Sequence, residues 1–200
     1  MGLEGSISYF LLPYPLSLSH SLLPSFMRLN NPLFLSIAFV VVILDQLTKY
    51  WVVEAFSFWP LEAVTDPKTG MTYDRHTLPL LQGIFHLTYA KNDGAAFSIL
   101  SGQIDLLRWL SLGVSLVLIG FALFGPVLNR WDQLGYGFIL GGAMGNGIDR
   151  FALGYVVDFF DFRLINFAIF NVADSFISIG IVCLLIASLQ KTPTSSRRTH

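Results

Sequence analysis

The feature that most constrains this chain is an uncharged, largely apolar stretch at residues 109–128. An α-helix rises about 1.5 Å per residue, so roughly 20 such residues are long enough to cross the hydrocarbon core of a bilayer. Lipid offers the backbone no hydrogen-bond partners, whereas a helix pairs its own N–H and C=O groups. The stretch therefore predicts a membrane-spanning helix.

Three more segments are also largely apolar, although two of them carry charged residues, at residues 33–53, 134–148 and 170–189. The chain as a whole is 54% hydrophobic and 12% charged, whereas soluble domains carry about 25% charged residues. We therefore predict an all-α membrane protein whose four transmembrane helices form one domain at 33–189. Residues 1–32 contain several prolines and no compact apolar centre, so we expect them to form a disordered N-terminal extension.

Two segments between the predicted spans have the pattern of β-strands. Residues 84–89 alternate between apolar and polar side chains, and residues 156–162 are rich in Val and Phe. An open strand edge finds no hydrogen-bond partners in lipid. We therefore expect the two strands to pair at the membrane surface, in a small extracytoplasmic β-platform.

Four alternating spans place the unusual polar residues on one face of the membrane. The opposite face carries Arg28, Arg130 and the basic tail at 190–200. Because cytoplasmic segments are enriched in Lys and Arg, we expect both termini in the cytoplasm. The polar residues that then lie near the extracytoplasmic face are Asp45, Lys49, Asn92, Asp93, Asn146, Asp149, Arg150, Asp158, Asn171 and Asp174.

Four of these charged residues are candidates for ion pairs. Asp45 and Lys49 are four residues apart on the first predicted helix, and Asp149 is followed directly by Arg150. A charged side chain in a membrane costs about 2–4 kcal/mol unless it is paired or hydrated. We therefore expect Asp45 to pair with Lys49 and Asp149 with Arg150, in roles that position the site rather than carry out chemistry.

Asp158 and Asp174 differ from these, because neither has a Lys or Arg within four residues. A structural explanation exists for Asp174, which as an acid in the first turn of a helix stabilises the helix dipole. The alternative is that the two carboxylates converge. Repulsion and burial would then raise one pKa, and the pair would hold a single proton near neutral pH. Such a dyad activates water with one carboxylate and protonates a carbonyl oxygen with the other.

Five motifs occur in one order along the chain: Asp-Gln-Leu-Thr-Lys at 45–49, Asn-Asp-Gly-Ala-Ala-Phe at 92–97, the glycine-rich segment 141–150, Val-Asp-Phe at 157–159 and Phe-Asn-Val-Ala-Asp at 170–174. They resemble the motifs of lipoprotein signal peptidase, signal peptidase II, over about residues 33–189. The resemblance implies an intramembrane aspartyl endopeptidase that cleaves diacylglyceryl-modified prolipoproteins on the N-terminal side of the lipidated cysteine.

The resemblance also implies roles for single residues. The catalytic dyad falls on Asp158 and Asp174, and we add Asp45 and Lys49 to the candidates that support the site. The positions that the family pattern marks as supporting or substrate-binding are Asn92, Asn146, Asp149, Arg150 and Asn171. We further expect a monomer in a bacterial-type inner membrane, in contact with membrane lipid.

Several alternatives remain open at this point. A proton- or ion-coupled transporter also uses membrane carboxylates, but no internal repeat is visible and the spans at 109–128 and 170–189 are uncharged in their central parts. A noncatalytic membrane scaffold would leave the grouping of Asp158 and Asp174 unexplained. A serine–lysine protease would use Lys49, yet no serine is distinguished by its setting.

No metal or other cofactor is expected. The four histidines form no pair at metal-ligand spacing, and a His-Glu-x-x-His motif is absent from the sequence. The net charge of −1 offers no attraction for nucleic acid.

Overall fold

The computed structural model describes residues 30–57, 63–65, 72–74, 77–94, 100–165 and 167–190. Its main elements are four long helices. They are α1 (Pro32–Ser57), α2 (Ile104–Phe124), α3 (Arg130–Ala152) and α4 (Val172–Gln190). Of the predicted extension at 1–32, only residues 30–32 are described. Of the predicted tail at 190–200, only residue 190 is described.

Three of the helices, α1, α2 and α4, are long and apolar enough to span a membrane. Among the described residues α3 does not meet that criterion, because it carries charged residues at both ends and many glycines between them. Its length of 23 residues corresponds to about 34 Å. The part of the prediction that makes α3 a fourth span therefore stays a prediction.

Helix α3 lies at the centre of the bundle and packs against α4, α1 and α2. Glycines on its surface allow the neighbouring backbones to approach closely. A Cβ at Gly137 would lie 2.8 Å from the carbonyl oxygen of Phe34 in α1, and one at Gly142 would lie 2.5 Å from that of Ala173 in α4. These contacts hold α1 and α4 on different sides of α3.

The strands form two small sheets. A hairpin pairs β1 (Ala63–Thr65) with β2 (Thr72–Asp74). A three-stranded antiparallel sheet has the order β3-β4-β5, with β3 at Thr77–Leu81, β4 at Phe85–Asn92 and β5 at Val156–Phe162. The strands predicted at 84–89 and 156–162 are β4 and β5, and their pairing with each other is confirmed.

The sheet is anchored to the end of α1 by a small apolar core. Its buried members are Val52 and Phe56 of α1, Leu87 of β4, and Val157 and Phe159 of β5. Successive side chains of a strand point to opposite faces. Asp158, between two anchored neighbours, is therefore held on the face of β5 opposite this core.

Candidate active site

The first turn of α4 is closed by two reciprocal hydrogen bonds between Asn171 and Asp174. The backbone N–H of Asp174 donates to Asn171 Oδ1 at 3.0 Å, and the backbone N–H of Asn171 donates to Asp174 Oδ2 at 3.2 Å. This is a capping box, which satisfies backbone donors that a helix start leaves unpaired. The structural role foreseen for Asp174 as a first-turn acid is thus present, and it fixes the position of that carboxylate.

Asp158 on β5 is almost completely buried, with 2% of its surface exposed. Asn92 Nδ2 of β4 donates to its Oδ2 at 2.8 Å, and Asn171 Nδ2 donates to its Oδ1 at 2.8 Å. Both carboxyl oxygens therefore have a side-chain amide as a partner, and the orientation of the group is determined from two sides.

Burial and the charge of Asp174 raise the pKa of Asp158 to about 7, although the hydrogen bonds from Asn92 and Asn171 and the charge of Lys49 oppose the shift. Burial is the larger cause, because a charge deprived of water is costly. A carboxyl with this pKa is half protonated near neutral pH, and it can both donate and accept a proton there.

Asn146 connects the two aspartates into one arrangement. Its Nδ2 donates to Asp174 Oδ1 at 2.8 Å, and its Oδ1 accepts from Asn171 Nδ2 at 2.9 Å. Asn171 in turn contacts Asp158 and Asp174 directly. The structure therefore places Asp158 and Asp174 in a shared frame of amides made by Asn92, Asn146 and Asn171.

Among the described residues, Lys49 is one of two buried cations in this region, and Arg150 is the other. Its Nζ lies 2.8 Å from Asp45 Oδ2 and 3.0 Å from Asp149 Oδ2, and it donates to Asn146 Oδ1 at 3.0 Å. The expected ion pair between Asp45 and Lys49 is present. These contacts are with carboxylates and an amide, which gives no support to a serine–lysine mechanism.

The expected ion pair between Asp149 and Arg150 is not the one that forms. Asp149 pairs with Lys49, and it also accepts from Gln46 Nε2 at 3.0 Å and from the backbone N–H of Val157 at 3.0 Å. Neighbouring residues on a helix point in directions about 100° apart. Asp149 is therefore directed toward α1 and β5, and Arg150 toward a different partner.

Arg150 holds the chain that follows β4. Its Nη2 donates to the carbonyl oxygen of Gly94 at 3.1 Å, and its Nη1 donates to Ser111 Oγ at 3.2 Å. Gly94 comes two residues after Asn92, whose Oδ1 accepts from the Gly94 N–H at 2.9 Å. Arg150 thus stabilises the turn that presents Asn92 to Asp158.

Two polar residues of the site were missing from the sequence-based set, Gln46 and Ser111. Gln46 lies inside the first of the quoted motifs, so its position was visible although its role was not. Ser111 lies in an uncharged span and has no local signal. Asp93, in contrast, is exposed and bonds to Ser101, away from the amide frame.

An apolar groove runs between α2 and α3 beside this site. It has a volume of about 490 Å³ and is lined by residues that include Ser111, Ser115, Leu116, Met144 and Ile148. Ser111 connects the groove to the site, because it also contacts Arg150. Among the described residues, no group of three or more His, Cys, Asp or Glu side chains is arranged to hold a metal ion.

The chain is similar to known proteins over most of its length. The family model described as signal peptidase (SPase) II matches residues 37–190. A lipoprotein signal peptidase of Trichormus variabilis is 66% identical over 174 residues, which are 87% of this chain and 100% of the relative. One of a Nostoc species is 67% identical over 172 residues, covering 86% and 99% of the two chains.

Solved structures agree with these sequence matches. A bacterial membrane enzyme determined by the in meso method at 2.3 Å resolution superposes with a TM-score of 0.65 and 30% identity, over 84% of this chain and 93% of the other. A second, determined at 1.9 Å, gives a TM-score of 0.61 and 31% identity, over 80% and 94%. The fold of this chain is therefore similar to that of two bacterial membrane enzymes, over at least 80% of its length.

Proposed function

The chain belongs to the signal peptidase II family of aspartic-type peptidases, and from that premise we propose that Asp158 and Asp174 are its catalytic dyad. The proposed substrates are diacylglyceryl-modified prolipoproteins, which are cleaved on the N-terminal side of the lipidated cysteine. The proposed place of the reaction is the extracytoplasmic side of a bacterial-type inner membrane, with the protein acting as a monomer whose termini are both cytoplasmic.

The observation that carries the proposal is the shared amide frame. Asn171 donates to Asp158 at 2.8 Å and Asn146 donates to Asp174 at 2.8 Å, while the two asparagines bond to each other at 2.9 Å. Neutral amides orient carboxylates without holding them in the ionised form. A positively charged partner would instead favour the ionised form. Asp158 and Asp174 therefore keep the freedom to exchange a proton, which a dyad requires.

The reaction follows from the protonation of the pair. Asp158 begins with the shared proton, since its pKa is raised to about 7, and the more exposed Asp174 serves as the base. A water molecule attacks the scissile carbonyl carbon while its proton passes to Asp174, and Asp158 protonates the carbonyl oxygen. The C–N bond then breaks, the leaving amine takes the proton held by Asp174, and the new carboxyl group returns a proton to Asp158.

The groove between α2 and α3 supplies an apolar surface for the acyl chains of such a substrate. Ser111 belongs both to the groove and to the contacts of Arg150, so the groove adjoins a residue that supports the site. Filling it by Ser115→Phe is expected to raise KM for the lipidated substrate. An unchanged KM in the folded variant would place the acyl chains elsewhere.

The test of the proposed function is turnover by the purified full-length protein in detergent. A lipid-modified prolipoprotein and the same precursor without its lipid are offered side by side, and mass spectrometry locates the cut. We expect cleavage of the lipidated form only, immediately before the modified cysteine. Failure to cut the lipidated precursor, or a cut at another bond, would contradict the proposal.

A further inference from the structure

Two buried carboxylates outside the dyad make matching contacts with the backbone. Asp45 Oδ1 of α1 accepts the N–H of Ala173 at 2.9 Å, and Asp149 Oδ2 of α3 accepts the N–H of Val157 at 3.0 Å. Ala173 directly precedes Asp174, and Val157 directly precedes Asp158. Each proposed catalytic aspartate is therefore held, one residue upstream, by a second carboxylate.

These two carboxylates are themselves bridged by two side chains of α1. Lys49 Nζ lies 2.8 Å from Asp45 Oδ2 and 3.0 Å from Asp149 Oδ2. Gln46 Nε2 donates to Asp149 Oδ1 at 3.0 Å, and it lies 3.2 Å from both Asp45 Oδ2 and the carbonyl oxygen of Gly145. The amide of Gln46 thus joins α1 to α3 at the point where both carboxylates meet.

We propose that Gln46 is a positioning residue which, together with Lys49, fixes the distance between Asp45 and Asp149 and through them the spacing of Asp158 and Asp174. We call the four residues Asp45, Gln46, Lys49 and Asp149 the clamp. The inference rests on the proposed function, because it concerns the geometry of that same dyad.

The charges of the clamp explain why an uncharged donor is needed there. Two carboxylates and one ammonium are buried, with 0% of Asp45, 3% of Lys49 and 3% of Asp149 exposed. Asp45 and Asp149 share the single ammonium of Lys49, and Asp149 Oδ1 would lose its amide donor without Gln46. A buried acceptor without a partner costs about 1–3 kcal/mol, and the two carboxylates relieve that cost by moving apart. Gln46 prevents the movement.

A wider clamp has a defined effect on the dyad. Asp158 faces the charged groups Asp174 of α4, Lys49 of α1 and Arg150 of α3. When α4 and β5 separate, the repulsion between Asp158 and Asp174 weakens, and the pair gives up its shared proton at a lower pH. The rate also falls, because a displacement of about 1 Å in a catalytic group costs as much as 100-fold.

The experiment compares Gln46→Met, which keeps the length of the side chain and removes its donor, with the wild-type protein on the lipidated prolipoprotein. We expect kcat to fall by about 10- to 100-fold with KM unchanged, and the basic limb of the kcat–pH profile to move to lower pH. A merely structural role would reduce the amount of folded enzyme and would leave the pH profile unchanged.

The matched control is Gln133→Met, the same substitution in the first turn of α3, where the amide donates to the carbonyl oxygen of Leu128 at 2.9 Å. It is expected to keep the wild-type kcat and pH profile. If Gln46→Met does not fold, Gln46→Asn takes its place, because its amide is one methylene too short to bridge the carboxylates.

Wild-type kcat and an unshifted pH profile in a folded Gln46 variant would overturn the inference, and so would loss of folding in both variants, which would make Gln46 structural. Neither result bears on the proposed function, because that is tested by cleavage of the lipidated precursor with the wild-type protein.

Discussion

Asn171 and Asp174 bond to each other twice within one helical turn, at 3.0 Å and 3.2 Å, so that a proposed catalytic carboxylate is also part of a helix cap. The same Asn171 donates to Asp158 at 2.8 Å. The start of α4 and the chemistry of the site therefore depend on one residue, and substitutions at Asp174 must separate the two roles.

The first prediction separates them. Asp158→Asn and Asp174→Asn are each expected to abolish cleavage in a protein that still inserts and folds, because asparagine keeps the acceptor oxygen but exchanges no proton. Combining the two should cost little more than either alone, since residues that act as a unit are not additive. Turnover of the lipidated precursor by each purified variant is the measurement.

Asp174→Ala provides the comparison for the cap. It removes the acceptor of the Asn171 N–H as well, so we expect it to lose about 1 kcal/mol of stability relative to Asp174→Asn. Near-normal turnover in either asparagine variant would contradict the assignment of the dyad to Asp158 and Asp174.

The second prediction concerns stability and pH. The pKa of Asp158 rises from its ordinary value of 3.8 to about 7 on folding, first through burial and then through the charge of Asp174. The folded protein therefore binds a proton more tightly than the unfolded chain, and this contribution is complete below about pH 4 and is lost as the pH rises toward 7.

The Asp158→Asn variant does not lose stability in this way as the pH rises, because asparagine does not titrate. We expect it to match the wild type in thermal unfolding near pH 4 and to become more stable than the wild type by pH 8, by on the order of a few kcal/mol. Unfolding temperatures in detergent across this range give the comparison. Parallel curves for the two proteins would mean that Asp158 titrates as an ordinary carboxyl.

The third prediction tests the close contact between α3 and Asp45. A Cβ at Gly145 would collide with Asp45 Oδ2, and Asp45 is completely buried. We expect Gly145→Ala to lose about 1–3 kcal/mol of stability, as other overpacked cores do, and to lower turnover by displacing a member of the clamp.

Gly113→Ala on α2 is the matched control, since an added Cβ there has nothing within 4 Å. Alanine favours a helix over glycine by about 1 kcal/mol, so the control should be neutral or slightly stabilised. Equal effects of the two substitutions on the unfolding temperature would show that the contact at Gly145 yields without cost.

The fourth prediction concerns orientation. Reporter fusions after Arg130 and at the C-terminus should give a cytoplasmic signal, and fusions near Thr72 and Arg163 should give the opposite one. The reason is the distribution of Lys and Arg about four alternating spans. A cytoplasmic signal at Thr72 with an external C-terminus would reverse the orientation, and equal signals at Arg130 and Arg163 would show that α3 does not cross the membrane.

The sequence predicted helices and strands where one physical cause dominates. Long apolar stretches identified α1, α2 and α4, and alternation identified β4. The strand at 77–81 was not predicted, because Thr77-Leu-Pro-Leu-Leu81 has neither alternation nor a clear turn before it. It pairs with β4 as a hairpin through the turn at residues 82–84, and this pairing places Thr77 beside Thr88. Gly83, whose φ is +73°, was the local signal for that turn.

In the site, too, contacts within one helix could be predicted from the sequence, whereas contacts between helices could not. The i, i+4 spacing of Asp45 and Lys49 was enough to predict their ion pair, because that spacing sets two side chains on one helix face. The assignment of Asp149 to Arg150 was wrong because adjacency in sequence is not adjacency on a helix. The bridging role of Gln46 depends on α3 meeting α1, a contact between residues 99 and 103 positions apart.

The capping box has a further consequence, for the order in which the site matures. Asp174 acquires its backbone partners from a residue only three positions away, so we expect it to be oriented as soon as the first turn of α4 forms. Asp158 depends on Asn92, which is 66 positions distant, and on the pairing of β4 with β5. A newly made chain would then hold one oriented aspartate before it holds two, and it would have no peptidase activity until the sheet closes.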